Sequence, residues 1–239
     1  ERALLIIEEI SKRESGVRVS DLAADLGITL PTVHRMVSFL QHKGYLEQDA
    51  ETKKYYLGLK ILELQGFLID RFSVVDRALP ELKKIAYDLG ETVHLAVLSD
   101  GYVVYIESLE GANSIIRKAT IGSRAFIHST ALGKALVAWK TWDNVERILN
   151  ERGMEKETPN TIDDMEKFRN ELTKTREYGY ALDCGERSTI SQCVAVPIWN
   201  HRREVEAAVS ISVPSHAFSL EKKEELVIWL ENLSRVVSM

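Results

Sequence analysis

Apolar positions recur along this chain with two different periods, and the change of period divides it. In the first quarter Leu4, Leu5, Ile7 and Ile10 mark the apolar side of an amphipathic helix. Val33, Val37 and Leu40 fall at i, i+4 and i+7 of a later helix and must face inward. Between them Ser20 to Leu26 reads as a short helix, with Ser20 as N-cap and an acid in the first turn, where the helix dipole favours negative charge. Gly27 supplies the sharp turn that follows, Thr29 is a second expected N-cap, and Pro31 sits in the first turn of the next helix, where its missing N–H does little harm. Tyr45 to Gln48 and Lys53 to Leu57 then read as two short strands around the polar turn Asp49-Ala50-Glu51-Thr52. Helices, a glycine turn and a two-stranded hairpin predict a winged helix-turn-helix across Val19 to Tyr56.

Leu59 to Leu68 is so densely apolar that it predicts a linker helix covered by something else, such as a partner subunit. Pro80 to Leu89 predicts another amphipathic helix through Leu82, Ile85, Ala86 and Leu89. From Thr92 the period shortens. Val93 to Leu98 and Tyr102 to Ile106 flank Ser99-Asp100-Gly101, a strong hairpin signal. Further strands are expected at Ser114 to Ala119, Tyr180 to Leu182, Cys193 to Trp199 and Val205 to Val213. Helices are expected at Thr130 to Trp139, Trp142 to Glu151 and Ile162 to Glu177, with a last one capped by Ser219. The fold class is therefore α+β, with a winged-helix domain over 1–58, a linker helix over 59–74 and a mixed sensor domain over 75–239.

Composition narrows this picture. The 239 residues fit two domains, and 45% hydrophobic with 28% charged residues is ordinary for a globular protein. The formal charge is −5, and residues 1–58 carry eight Lys or Arg against nine Asp or Glu. Nucleic-acid binding therefore needs a localised basic stripe rather than a basic body. No Asp or Glu occurs between residues 26 and 46, so this surface would not repel phosphates. The outer arc of the second motif helix carries Pro31, Thr32, His34, Arg35 and Ser38, and the hairpin carries Lys53, Lys54 and Tyr55. Hydroxyls, a histidine and an arginine suit base edges and phosphates, so these eight residues are the expected contacts to double-stranded operator DNA. The alternative for this segment is a three-helix unit that binds protein or nothing. No long apolar run or secretory pattern is present, so no membrane is expected as a partner and the expected location is the cytoplasm. The two cysteines, Cys184 and Cys193, give no disulfide framework.

His128-Ser129-Thr130-Ala131-Leu132-Gly133-Lys134-Ala135, Arg176 to Ala181, Gln192 to Ile198 and Ala207 to Ser212 together resemble the IclR-type transcription regulators. Pro31-Thr32-Val33-His34-Arg35 and Lys43-Gly44-Tyr45 resemble the same family, so the likeness spans essentially the whole chain in the family's order. It implies a winged helix, a linker helix and a GAF-like effector-binding domain. It also implies a homodimer or dimer of dimers, and a small metabolite effector, often a carboxylate or aromatic of carbon catabolism. Activators and repressors both occur in such families; a repressor is the commoner expectation. The resemblance places Ala131, Leu132, Asp183, Ser191, Cys193, Ser210 and Ser212 around the effector.

The residues give part of that pocket independently. A cap at Ser129 or Thr130 would leave the amides of Ala131, Leu132 and Gly133 at a helix N-terminus, a natural anion site. Ser210 and Ser212 alternate with Val209, Ile211 and Val213, so both hydroxyls share one face of a strand. Asp183 fits less easily, since a buried carboxylate repels an anionic ligand unless protonated or bridged. Enzyme readings fare worse. A phosphate loop ending at Gly133-Lys134 would need Gly at 128 and Ser or Thr at 135, where this chain has His128 and Ala135. Asp183, Cys184, Cys193, His94 and His128 are candidate metal ligands or a Cys/His pair, yet their spacing matches no short zinc or hydrolase pattern. No cofactor is required. The expectation is a ligand-responsive regulator; the alternative is a small-molecule enzyme with an accessory winged helix.

Overall fold

Arg2–Ser11 (α1), Val19–Leu26 (α2) and Leu30–His42 (α3) enclose a small core of Ile6, Ile10, Leu22, Val33, Val37 and Leu40. The computed structural model describes residues 2–69, 73–112, 114, 116 and 118–238, and the chain divides into two units, Glu1–Phe72 and Ser73–Met239. Gly27 ends α2 with φ +63°, the left-handed conformation that the turn into α3 demands. Strands β1 (Leu46–Gln48) and β2 (Tyr55–Leu57) pair antiparallel as the wing. Helix α4 (Lys60–Ile69) follows in the same unit.

Two expected caps are absent. Helix α2 begins at Val19 with Arg18 in extended conformation before it, and the Ser20 hydroxyl bonds Asp21 instead of a backbone amide. The reason lies one step upstream, where Val17 exchanges backbone hydrogen bonds with Tyr55 at 2.8 and 3.0 Å. That bridge fixes the strand end, and burial of Val19 starts the helix early. Thr29 has the conformation of a cap, but its hydroxyl pairs with Thr32 at 2.9 Å. On α4 and its approach, Leu59, Leu62 and Leu64 are 69%, 62% and 45% exposed.

The second unit is one six-stranded antiparallel sheet with helices on both faces. Its strands are β3 (Thr92–Ser99), β4 (Tyr102–Leu109), β5 (Arg124–Ala125), β6 (Ala181–Asp183), β7 (Ser191–Trp199) and β8 (Val205–Pro214), in the order β5-β4-β3-β8-β7-β6. Helices α5 (Ser73–Leu89) and α9 (Leu220–Val237) pack together and onto the sheet. Helices α6 (Ala131–Val137), α7 (Trp142–Arg152) and α8 (Met165–Tyr178) pack with the face that carries Ala96, Ala195 and Ala208. Small residues at these sheet positions let α6 approach closely. Gly133 continues that logic, because a Cβ there would meet the Ile127 backbone at 2.4 Å.

Some boundaries differ from the sequence reading for identifiable reasons. Helix α5 starts at Ser73, with Pro80 inside it, because buried Val74, Val75 and Ala78 offset the one lost backbone bond. Helix α8 starts at Met165, where Asp164 accepts the Lys167 amide at 2.8 Å. Of the strand expected at Ser114 to Ala119, residues 115 and 117 lie outside the described residues. Ser114, Ile116, Lys118 and Ala119 are not in a strand, and the Ser114 hydroxyl accepts the Ile116 amide at 3.1 Å in a local turn. Among the described residues, no helix is long and apolar enough to cross a membrane.

Candidate functional site

Two sites of different chemistry lie on the two units. On the first, inward packing of Val33, Val37 and Leu40 turns Pro31, His34, Arg35 and Ser38 to solvent. Thr32 is half-buried, with its hydroxyl engaged by Thr29. At the wing tip the Asp49 carboxylate accepts the amides of Glu51 and Thr52 and the Thr52 hydroxyl, which lowers its pKa and stiffens the turn. Lys53 stands exposed after this turn with φ +59°. Lys54 is drawn back, donating to the Ser15 carbonyl at 3.0 Å. Tyr55 departs from the expectation of a DNA contact: it is 5% exposed and belongs to the core. Strand alternation explains the correction, since Val17 pairs with residue 55 and turns its ring inward. Tyr56 takes the outward position and bonds Ser15 at 3.1 Å.

The second site is a cavity of about 450 Å³ between α6 and the sheet. All seven residues expected around an effector line it: Ala131, Leu132, Asp183, Ser191, Cys193, Ser210 and Ser212. Register explains the grouping. On β8, Ser210 lies opposite His94 of β3 and Ala195 of β7, while Ser212 lies opposite Cys193. Val209 and Ile211, at the alternate positions, are fully buried. The Cys193 thiol sits 3.1 Å from the Ser212 hydroxyl, and burial with the nearby Asp183 pushes its pKa up to about 12. Such a thiol is a packing group, not a nucleophile.

The helix-terminus expectation holds only in part. Thr130 caps α6 with its side chain, but it uses that side chain to accept the Gly133 amide at 3.0 Å. One of the three amides expected to face a ligand is thereby consumed. Asp183 is buried, and its carboxylate accepts the Glu186 amide at 2.6 Å. Burial raises its pKa to about 6, against the pull of that amide and of Lys134. Behind the cavity wall Lys134 is fully buried, 2.6 Å from one Glu186 oxygen and 2.8 Å from the other, and donates to the Leu182 carbonyl at 2.6 Å. Burial raises the Glu186 pKa, while the ammonium pulls it down.

Sequence reasoning did not find Arg187 or Tyr105, and it raised Thr130 only as a helix cap and His94 only as a metal ligand or half of a Cys/His pair, yet all four line the cavity. The Arg187 guanidinium donates to the Tyr105 hydroxyl and lies 5.5 Å from the ring centre. His94 bonds Ser108 at 2.8 Å, and burial together with the Arg187 charge lowers its pKa to about 4, so it is neutral. His94 is paired with Ser210 across β3 and β8, a long-range register that no local pattern announces. Among the other metal candidates, Cys184 is exposed and His128 is buried against the Glu155 carbonyl at 3.0 Å. No group of three His, Cys, Asp or Glu side chains gathers among the described residues.

Comparison with known proteins adds a family to this geometry. Residues 1–50 match the IclR helix-turn-helix domain, and residues 66–239 match the bacterial transcriptional regulator IclR C-terminal domain. The chain is similar to the HTH-type transcriptional regulator XynR of Escherichia coli (strain K12), 35% identical over 212 residues, covering 89% of this chain and 84% of that protein. It is 30% identical over 215 residues to the HTH-type transcriptional repressor AllR of the same strain, covering 90% of this chain and 79% of that one. The crystal structure of the Thermotoga maritima IclR superposes with a TM-score of 0.82 at 32% identity, covering 98% of this chain and 95% of that chain.

Proposed function

The chain belongs to the IclR family of bacterial transcriptional regulators, and on that footing we propose that it is a repressor whose operator affinity is set by a small carboxylate in the α6 cavity. It is a DNA-binding regulator and not an enzyme. The carrying observation is a cavity lined by an arginine, the buried carboxyl of Asp183, neutral hydrogen-bonding groups and a non-nucleophilic thiol, on a unit separate from the recognition helix. Such a lining holds a polar ligand and offers it no activated nucleophile. The genes it controls would be those that consume such carbon sources, and its place is the cytoplasm, where the operator is.

The operator reading has a direct test. Arg35→Ala should weaken specific binding by about 1–3 kcal/mol if Arg35 reads a base, and leave the fold intact because the side chain is exposed. Lys53→Ala should weaken binding to every sequence alike and reduce the salt slope by about one unit. Fluorescence anisotropy on operator and scrambled duplexes separates the two, and unchanged operator binding by Arg35→Ala would reject this face of α3.

We further propose that two chains associate through Leu59, Leu62 and Leu64, large apolar side chains that stay exposed. A dimer, or a dimer of dimers, would read half-sites about one helical turn apart or a multiple of that. Sedimentation at micromolar concentration should show no monomer; replacing the three leucines with Ser should produce it. A monomeric parent protein would contradict the assignment.

A further inference from the structure

The cavity carries charge unevenly. Its carboxylate, Asp183, is compensated from behind by the Glu186 amide and by the Lys134 charge. Its guanidinium, Arg187, has no carboxylate within ion-pair distance among the described residues. By contrast, Arg77 is paired with Glu206 at 2.7 Å, and the buried Lys134 with Glu186. Arg187 is also held in place, because its bond to the Tyr105 hydroxyl and its position over that ring fix the fork. A guanidinium so held keeps most of its donors for a planar anion.

The rest of the wall is neutral and hydrogen-bonding. Ser210 is buried against the cavity and makes no side-chain hydrogen bond among the described residues. Among the described residues His94 is engaged at one ring nitrogen only. An ionised Asp183 can only accept, so the group that meets it must donate. A second carboxylate there would be repelled, and a hydrocarbon would leave these groups desolvated and unpaired.

We propose that Arg187 anchors the effector's carboxylate, and that the effector is a hydroxylated monocarboxylic acid whose hydroxyl groups are read by Asp183 and Ser210. This rests on the reading of the cavity as the effector site. It narrows that reading from small carboxylates in general to acids that carry hydroxyl groups and a single charge. Alkanoates, benzoates and dicarboxylates are thereby disfavoured.

Calorimetric titration of the full chain tests this with chosen probes. Glycerate, threonate and gluconate are the acids; gluconamide lacks the charge, hexanoate and benzoate lack the hydroxyl array, and glucarate adds a second carboxylate. At least one hydroxy acid should bind roughly tenfold or more tighter than hexanoate, benzoate and glucarate. The preference for that acid over its own amide should collapse towards one in Arg187→Gln and survive in Arg187→Lys. The ratio cancels any general loosening of the cavity, and Trp fluorescence checks that each variant is folded. Failure of all three hydroxy acids to bind, equal binding of hexanoate or benzoate, or an undiminished acid-to-amide ratio in Arg187→Gln would each overturn the proposal. Operator release, measured alongside, keeps the two readings apart. A ligand that releases DNA without needing Arg187 sinks only the inference, whereas tight Arg187-dependent binding with no effect on DNA sinks the regulatory reading.

Discussion

Lys134→Ala should destabilise the C-terminal unit by about 3–5 kcal/mol, because it strands the buried Glu186 carboxylate without its partner. The ammonium also serves the Leu182 carbonyl, which would lose its donor. All four tryptophans, Trp139, Trp142, Trp199 and Trp229, lie in that unit, so Trp fluorescence during urea unfolding follows it selectively. The deficit should depend on pH in a definite direction. Burial already raises the Glu186 pKa, and losing Lys134 raises it further. A carboxyl with a raised folded-state pKa contributes its full stability below the unfolded pKa and loses it as pH rises through the folded one. Acidifying the variant should therefore recover part of the loss. Lys134→Met combined with Glu186→Leu should recover most of it, since removing both charges leaves no uncompensated ion. A single-variant loss below about 1 kcal/mol would show that the pair is not structurally important.

Lys134 also shows where sequence reading stopped. In Ala131-Leu132-Gly133-Lys134-Ala135 the lysine looks like a solvated interruption of an apolar helix, and its partner lies 52 residues on, in a loop with no period. Arg187 was invisible for the same reason. Its position is fixed by Tyr105 of β4, 82 residues earlier, and no local pattern announces such a pairing. The strand serines were legible because alternation is a local rule, and β-pairing then set Ser212 beside Cys193 and Ser210 beside His94. The winged helix was legible almost whole, since Gly27, Pro31 and the Val33-Val37-Leu40 spacing act over a few residues. Tyr55 and Ser20 misled, because a single long-range bridge from Val17 to Tyr55 decides which side each faces. Pro80 misled in another way. It reads as a helix start, but apolar burial on either side of it carries the helix through.

Saturating the cavity with its effector should change operator affinity by roughly 5–150-fold, the range in which coupling free energies between sites commonly fall, about 1–3 kcal/mol. Ser212→Ala should weaken effector binding while leaving DNA affinity without effector nearly unchanged, because the hydroxyl lines the cavity in one unit and the recognition helix belongs to the other. It should leave the size of the coupling intact once effector is raised to saturation. A variant that lost DNA affinity without any effector would show instead that Ser212 supports the fold.

Control of DNA binding by the cavity is the central claim, and linkage makes it measurable from either side. Whatever factor the effector applies to operator affinity, the operator must apply to effector affinity. Calorimetric titration of the effector into the full chain, free and then saturated with operator duplex, reads that factor directly. A repressor of this design should bind its effector more weakly on the operator, by the same fold that the effector weakens DNA binding in anisotropy. Equal effector affinities in the two titrations would contradict the account.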